Sequence, residues 1–430
     1  MILAGGNVYR SLEQDVVLDG LEAEISETLA NSKLEREKVI SAVDILGQRI
    51  LRGEFNDMIR GIADENLDLY IKTAAEMMKR SNIEYRLHTE LGMTPREHFD
   101  IFPPYGIERV SVYLRPLGAL FHIAAGNADG LPAFSVLEGL LTGNVNILKL
   151  PEADNGLSVE IFKRLIEIEP ALERYIYVFD TPSSDISAMR KMASMADGIV
   201  VWGGDEAVRA VRTLAPTGAK IIEWGHKLGF AYISGYENKG SELSSLAEHI
   251  VLTRQLLCSS CQTIYVDTES MEELEAFCGE FLPYLEKEAQ RNPITEIGAA
   301  AEITLLKYNT SLEIAIGESG SRSKIFQGDK CSLTMCDDNT LELSYMYGNC
   351  LVKRLPEKNI VNALRASKGY LQTAGLICAK DRREHLSEVL MRAGVTRIMR
   401  AGNMSSGFCG EAHDGEYPLR RYMRIVNIEK

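Results

Sequence analysis

The sequence predicts an α/β protein built around mostly parallel sheets and carried in more than one unit. Three observations lead there. Between Leu120 and Ile222, strand-like apolar runs alternate with helix-like patterns in a regular rhythm, which is the signature of successive βαβ units. A second rhythm of the same kind starts near Ala231, and 430 residues exceed what one hydrophobic core usually holds.

Residues 1 to about 100 open on a β-like start and continue as helical patterns around Leu34 to Leu51 and Leu67 to Met78, rich in alternating charge. They predict a mostly helical layer. Val110 to Ile123 holds two short apolar alternations separated by Arg115-Pro116-Leu117-Gly118, which reads as strand, turn and strand. The alternating region then predicts strands near 120–124, 145–148, 175–179, 198–201 and 220–222. Helices are expected between them near 132–141, 157–168, 184–195 and 206–214, with Pro132 suited to a first helical turn. In the second unit a helix over 243–257 precedes a short β-like run, 263–266, and helices are expected again near 271–287, 359–367 and 382–393. The stretch from Gly402 to Lys430 is Gly-rich and then polar and basic, which suggests a tail laid on another surface rather than a core element.

Composition excludes several classes of function. The formal charge is −14, and no Lys/Arg block with interleaved aromatics is present, so nucleic acid is not an expected partner. An anionic ligand would need a local basic or backbone N–H site working against the global charge. No apolar run approaches the roughly 18 residues of a membrane span, and the N-terminus lacks the basic region of a signal peptide. All eight cysteines lie at or after position 258. Without an export signal they are expected as reduced thiols in the cytoplasm.

The candidate chemistry centres on Cys258, in Arg254-Gln255-Leu256-Leu257-Cys258-Ser259-Ser260-Cys261-Gln262. Free cysteines are more often buried hydrophobes than nucleophiles, but a thiol at a helix-to-strand junction can be presented to a cleft. Cys258-x-x-Cys261 has no second Cys pair or His pair to complete a zinc site. Glu223 ends a β-like run and enters a glycine-containing turn; a solvated turn carboxylate competes there with a general base at a strand's C-terminal end. Gly126-Asn127 joins a strand to a helix, where an Asn amide can donate to an oxyanion. Lys149 closes an apolar strand, a place where packing alone rarely leaves a lysine. Gly203-Gly204 lies between a strand and a helix start, so backbone N–H groups could approach a pyrophosphate, although Gly-x-Gly-x-x-Gly is absent.

Taken in order, Gly126-Asn127, Gly143-Asn144 with Lys149, Gly203-Gly204, Glu223-Trp224-Gly225-His226-Lys227, Cys258 and Ser406-Gly407-Phe408 resemble the aldehyde dehydrogenase superfamily. Glu223 and Cys258 stand 258 − 223 = 35 positions apart, about the superfamily's interval. Gln255-x-x-Cys258-Ser259-Ser260-x-Gln262 and Asp414-Gly415-x-x-Pro418-Leu419 narrow the resemblance to the acyl-CoA reductases of the bacterial luminescence type. It covers roughly residues 105 to 430 and leaves the first hundred unexplained.

The resemblance implies a Rossmann-like cofactor domain, a second α/β catalytic domain and a small oligomerisation element. The expected boundaries are 1–232 for the helical layer and cofactor domain, with 105–116 as an oligomerisation strand, 233–402 for the catalytic domain, and 403–430 for a C-terminal return and oligomerisation tail. It implies Cys258 as acyl acceptor, Asn127 with the Cys258 N–H as oxyanion donors, and Glu223 as general base. Lys149 would meet the adenine ribose, Gly203 and Gly204 the pyrophosphate, and Glu342 the nicotinamide ribose. The implied reaction is NAD(P)H-dependent reduction of an acyl-CoA or carrier-bound acyl thioester, with a fatty chain, to the aldehyde. The family favours NADPH, while Glu152 near Lys149 would repel a 2′-phosphate and favour NADH. A homo-oligomer and an acyl-transferring synthetase partner are implied in the same way. Cys261 stands where the luminescence reductases carry Pro, which raises a Cys258–Cys261 disulfide under oxidation. A hydrolytic aldehyde dehydrogenase and a non-catalytic interaction module are the competing readings.

Overall fold

The computed structural model describes the chain except for residues 58–66, 93–97, 107, 125–130, 153, 155 and 295–296. The chain divides into two compact units, Met1–Gly225 with Phe408–Lys430, and His226–Gly407.

In the first unit, strands β1 (Ile2–Ala4) and β2 (Asn7–Tyr9) precede the helices Gln14–Asn31, Arg36–Leu51, Leu67–Met78 and Arg80–Leu91. Then follow β3 (His98–Ile101), β4 (Val110–Pro116), β5 (Ala119–Ile123), β6 (Val145–Lys149), β7 (Ile176–Phe179), β8 (Gly198–Trp202) and β9 (Lys220–Trp224). One seven-stranded sheet runs β2-β1-β7-β6-β5-β8-β9. The pairs among β5 to β9 are parallel, and β1 joins β7 antiparallel with β2 outside it at the edge. β6 and β7 are buried at every residue, as expected of parallel strands covered on both faces. The helix Leu157–Ile168 buries Val159, Phe162, Leu165 and Ile166, a spacing of three and four that makes one apolar stripe.

The expected helical layer is present, but its β-like start also extends this sheet. The expected strand, turn and strand are present as β4 and β5, but the two do not pair with each other: β4 belongs to a separate antiparallel sheet of order β17-β4-β3, with β17 at Met423–Glu429. The chain changes sheet at Gly118, whose φ of +137° and lack of a Cβ admit the Asp197 carboxylate within 2.1 Å of where that Cβ would stand. The segment expected as a tail laid on another surface contributes core residues and a strand to the first unit. Leu419 and Tyr422 are fully buried, and β17 pairs with β4 from Met423↔Pro116 to Glu429↔Val110.

The second unit holds β10 (Leu228–Ser234), β11 (Cys261–Val266), β12 (Arg322–Gln327), β13 (Ser332–Cys336), β14 (Asn349–Arg354), β15 (Leu371–Cys378) and β16 (Arg397–Arg400). They form a sheet of order β12-β13-β14-β11-β10-β15-β16, parallel except at β12. The helix before the cysteine loop spans Lys239–Thr253 and stops four residues short of the expected end. Its start is capped by Asn238, whose side chain accepts from the Ser241 N–H. The long helix Ile297–Ile316, not anticipated, buries only Ile303 and Thr310 among its described side chains. No helix among the described residues is long and apolar enough to cross a membrane.

Candidate active site

In the second unit the helix Lys239–Thr253 ends because Arg254 and Gln255 turn left-handed, with φ of 52° and 60°. Each such non-glycine residue costs about 1–2 kcal/mol, so side-chain bonds must hold the turn. The Gln255 amide is fully buried; its Nε2 donates to the Cys261 carbonyl at 2.8 Å and to Ser344 Oγ at 3.0 Å. Its Oε1 accepts from the Gly348 N–H at 2.9 Å. Gln262, 3% exposed, donates to the Gln255 carbonyl at 2.6 Å and accepts from Ser344 Oγ at 2.8 Å and Ser344 N at 3.2 Å. Removing one partner from a buried bond of this kind costs about 1–3 kcal/mol.

Leu257 and Ser260 close the turn itself, N–H to Oγ at 3.1 Å and N–H to carbonyl at 2.9 Å. Ser259 Oγ bonds Ser405 Oγ at 2.8 Å. Gly229 lets the turn settle on β10, since a Cβ there would lie 2.4 Å from the Ser260 carbonyl oxygen and 2.9 Å from that of Ser259. The outcome is that Cys258 stands exposed while six other cysteines are buried and Cys409 is intermediate. Cys261 opens β11 inside the core; burial pushes its thiol up to about 12, and its Sγ–H points to the Thr263 carbonyl. The expectation of a Cys258–Cys261 pair meets one thiol outside and one inside, so Cys261 reads as a core residue.

Glu342 lies in the same unit. Its carboxylate accepts from Lys353 Nζ at 2.6 Å, and its carbonyl accepts from Thr263 Oγ1 at 3.2 Å. Lys353 is fully buried and also bonds Asp338 at 2.7 Å. Glu342 and Cys258 are thus linked through Ser344, two residues beyond Glu342, and Gln255, three before Cys258.

In the first unit the remaining described residues gather at the C-terminal ends of parallel strands. Lys149 closes β6, Gly203 and Gly204 follow β8, and Glu223 is the penultimate residue of β9. In such sheets that end is where ligands bind. Lys149 is buried, its Nζ donates to Ser183 Oγ at 2.8 Å, and burial lowers its pKa while the Glu152 charge opposes the shift. Gly204 has open space within 4 Å of where a Cβ would stand and leads into the helix Asp205–Leu214. That helix carries Asp205 and Glu206 in its first turn, two carboxylates that compete with a bound anion for its N-terminus. Glu223 is held by Arg212, Nε to Oε1 at 2.5 Å and Nη2 to Oε2 at 2.7 Å. Asn127 lies outside the described residues.

Gly229, Ser344, Ser405 and Arg212 were missed by sequence reasoning. Gly229 had a signal, a glycine inside an apolar strand pattern, which often marks a close backbone approach.

The sequence profile of the family described as acyl-CoA reductase (LuxC) matches residues 32–425. Long-chain acyl-protein thioester reductase 2 of Photobacterium leiognathi is 24% identical over 351 residues, which cover 79% of this chain and 70% of that protein. The long-chain acyl-protein thioester reductase of Photorhabdus luminescens is 23% identical over 444 residues, covering 98% and 88%. Among solved structures, lactaldehyde dehydrogenase from Escherichia coli has a TM-score of 0.68 at 15% identity, covering 98% of this chain and 92% of that one. The bifunctional proline utilization A protein gives 0.71 at 15% identity over 98% of this chain, which spans only 45% of that longer protein. At such identities the shared property is the fold, which is aldehyde dehydrogenase-like, with two mixed sheets and a small antiparallel one.

Proposed function

Because the chain belongs to the acyl-CoA reductase (LuxC) family, a family of oxidoreductases, we propose that it reduces a fatty acyl thioester, on coenzyme A or a carrier protein, to the aldehyde through an acyl-enzyme on Cys258. The observation that carries this reading is the contrast among the cysteines. One of eight is exposed, and it sits on a turn held by buried glutamine amides.

In this reading the Cys258 thiolate attacks the thioester carbonyl, the oxyanion is held by Asn127 and the Cys258 N–H, and the outgoing thiolate leaves with a proton. Glu223 is the group proposed to take the Cys258 proton. A reduced nicotinamide supplies hydride to the acyl carbon when it is bound. Collapse of the resulting thiohemiacetal breaks the carbon–sulfur bond, frees the aldehyde and returns the Cys258 thiolate. Water has to be kept from the acyl-enzyme meanwhile.

The strand ends of the first unit support a dinucleotide site. Gly204 leaves room for a ligand against the backbone, Lys149 offers a fixed ammonium toward a ribose, and Glu342 is proposed for the nicotinamide ribose. NADPH is the cofactor the family favours; Glu152, close enough to Lys149 to oppose its pKa shift, admits NADH. The names of the relatives suggest an acyl-protein donor, and a synthetase that delivers the acyl group is proposed as a partner. A homo-oligomer joined through β4 and β17 is proposed as well.

Acyl-CoA substrates of graded chain length, each assayed for aldehyde with NADPH and with NADH, test direction, cofactor and substrate class together. Radiolabelled acyl-CoA should label the protein, and Cys258→Ser should abolish the label. Covalent labelling retained in that variant would sink the reading.

A further inference from the structure

Left-handed non-glycine residues concentrate beside the candidate nucleophile. Among the described residues five have this conformation, and four of them form two adjacent pairs, Arg254 with Gln255 and Met346 with Tyr347. The pairs clasp each other. The Tyr347 N–H donates to the Arg254 carbonyl at 3.0 Å, and the Gly348 N–H donates to Gln255 Oε1 at 2.9 Å. Strain of this kind persists only where the surroundings over-determine it, and it gathers at functional sites.

Here the surroundings are three side chains almost out of water. Gln255, Gln262 and Ser344 are 0%, 3% and 7% exposed. Gln255 donates to the far end of the turn, at the Cys261 carbonyl, and to Ser344 on the opposite arm, while accepting from Gly348. Gln262 donates back to the Gln255 carbonyl and accepts twice from Ser344. An amide, which donates and accepts at once, fills both places. A carboxylate would keep the acceptors and lose the donors. The seven residues from Arg254 to Ser260 are ample to join a helix to a strand without strain, so chain connectivity does not explain the clasp.

We propose that Gln255, Gln262 and Ser344 are positioning residues for acyl transfer: they clamp the 254–260 turn against the 344–348 segment, and so fix the direction in which Cys258 meets the acyl carbon. The inference rests on the acyl-enzyme reading above. The same frame carries Glu342 two residues before Ser344, so the nucleophile and the proposed ribose ligand hang from one set of hydrogen bonds.

Two rate constants on the same protein separate orientation from exposure. Iodoacetamide, small and uncharged, reaches an exposed thiol from many directions; acylation by acyl-CoA needs one. Alkylation is read by mass spectrometry of the peptide holding Cys258, and acylation by the labelling burst. Gln255→Glu and the milder Ser344→Ala are expected to slow acylation about ten- to a hundredfold while alkylation changes by less than about threefold. Adding Met346→Gly to either should raise Tm, because glycine accepts the positive φ, without restoring acylation. Acylation unchanged in both single variants overturns the inference. So does acylation that falls only in step with alkylation, or that returns with Tm on adding Met346→Gly. A native chain that is never acylated overturns the acyl-enzyme reading and the inference together, whereas equal acylation of native chain and variants overturns the inference alone.

Discussion

Arg212 grips the carboxylate of Glu223 at both oxygens, Nε to Oε1 at 2.5 Å and Nη2 to Oε2 at 2.7 Å. The arginine reaches Glu223 from the helix that follows Gly203-Gly204. A carboxylate with both oxygens in charge-assisted bonds is held in one orientation, with the lone pairs facing the guanidinium occupied, and has fewer directions left in which to bind a water. For the reductase proposed above that would be an advantage, because a Glu223 that activated water would discharge the proposed acyl-enzyme as free acid.

Arg212→Leu is therefore expected to raise release of free fatty acid from acyl-CoA in the absence of reduced nucleotide. The Arg212 side chain is 62% exposed, and an exposed pair limits the gain to about fivefold. Arg212→Leu combined with Glu223→Gln should return to the native rate. Free acid released equally by the native chain and by Arg212→Leu would mean that the pair does not restrain Glu223.

How much of this arrangement could be read from the sequence depended on how local each contact is. The βαβ rhythm was legible because short, largely apolar runs such as Ile176–Phe179 recur between helix-like patterns. Gln255 and Gln262 could be noticed as a pattern around Cys258, but their partner Ser344 lies 82 positions beyond Gln262, and nothing local to Ser344 marks it. Val110 to Ile123 read as strand, turn and strand because apolar alternation flanks the turn chemistry at Pro116 to Gly118, and both strands are there. The pairing of β4 with a strand more than 300 positions later, at Met423–Glu429, is a tertiary choice that local pattern does not contain. The helix Ile297–Ile316 hid for another reason. Leu305, Tyr308 and Leu312 are exposed on it while Ile303 is buried, so apolar residues on both faces blur the period.

His122 gives the first unit an acid-sensitive core. Its ring is fully buried, with Nε2 3.0 Å from Asn146 Oδ1 and Nδ1 2.7 Å from Ser135 Oγ. An amide oxygen only accepts, so Nε2 carries the proton and Nδ1 accepts from the serine. Burial lowers the pKa to about 4, against a smaller opposing effect of the Asn146 bond. Between that value and the ordinary 6.5 the unfolded chain binds a proton that the folded chain does not. Stability should thus fall as pH falls through this window, by up to about 1.4 kcal/mol per pH unit. His249 in the second unit, also lowered to about 4 by burial and then by the charge of Arg397, adds a slope of the same sign. Denaturant unfolding between pH 7 and pH 5, above the carboxylate range, should show a shallower slope in His122→Gln; an unchanged slope would contradict the assignment.

The C-terminal return is anchored by two buried carboxylates and the half-buried arginine between them. Arg86 pairs with both Glu90 and Glu138, and the three side chains are 13%, 0% and 4% exposed. Glu138 Oε2 accepts from the Tyr422 hydroxyl at 3.1 Å, and Glu90 Oε2 accepts from the Leu419 N–H at 2.8 Å. Burial raises the pKa of Glu90, and the Arg86 charge is the main opposing effect. Arg86→Met leaves two carboxylates buried without their cation and should cost about 3–5 kcal/mol at pH 7. Replacing all three charged side chains with apolar ones should cost less than that single change, because no unpaired charge remains. Losing Arg86 removes the main effect that opposes this rise, so the Glu90 pKa moves further up in the variant than in the native chain. A carboxyl whose folded pKa is raised favours the folded state at low pH and loses that contribution as pH rises, so the Arg86→Met defect should shrink between pH 7 and pH 5. A loss below about 1 kcal/mol at pH 7, within the range of ordinary surface changes, or a defect that stays constant down to pH 5, would show that the return segment is held by packing rather than by this triad.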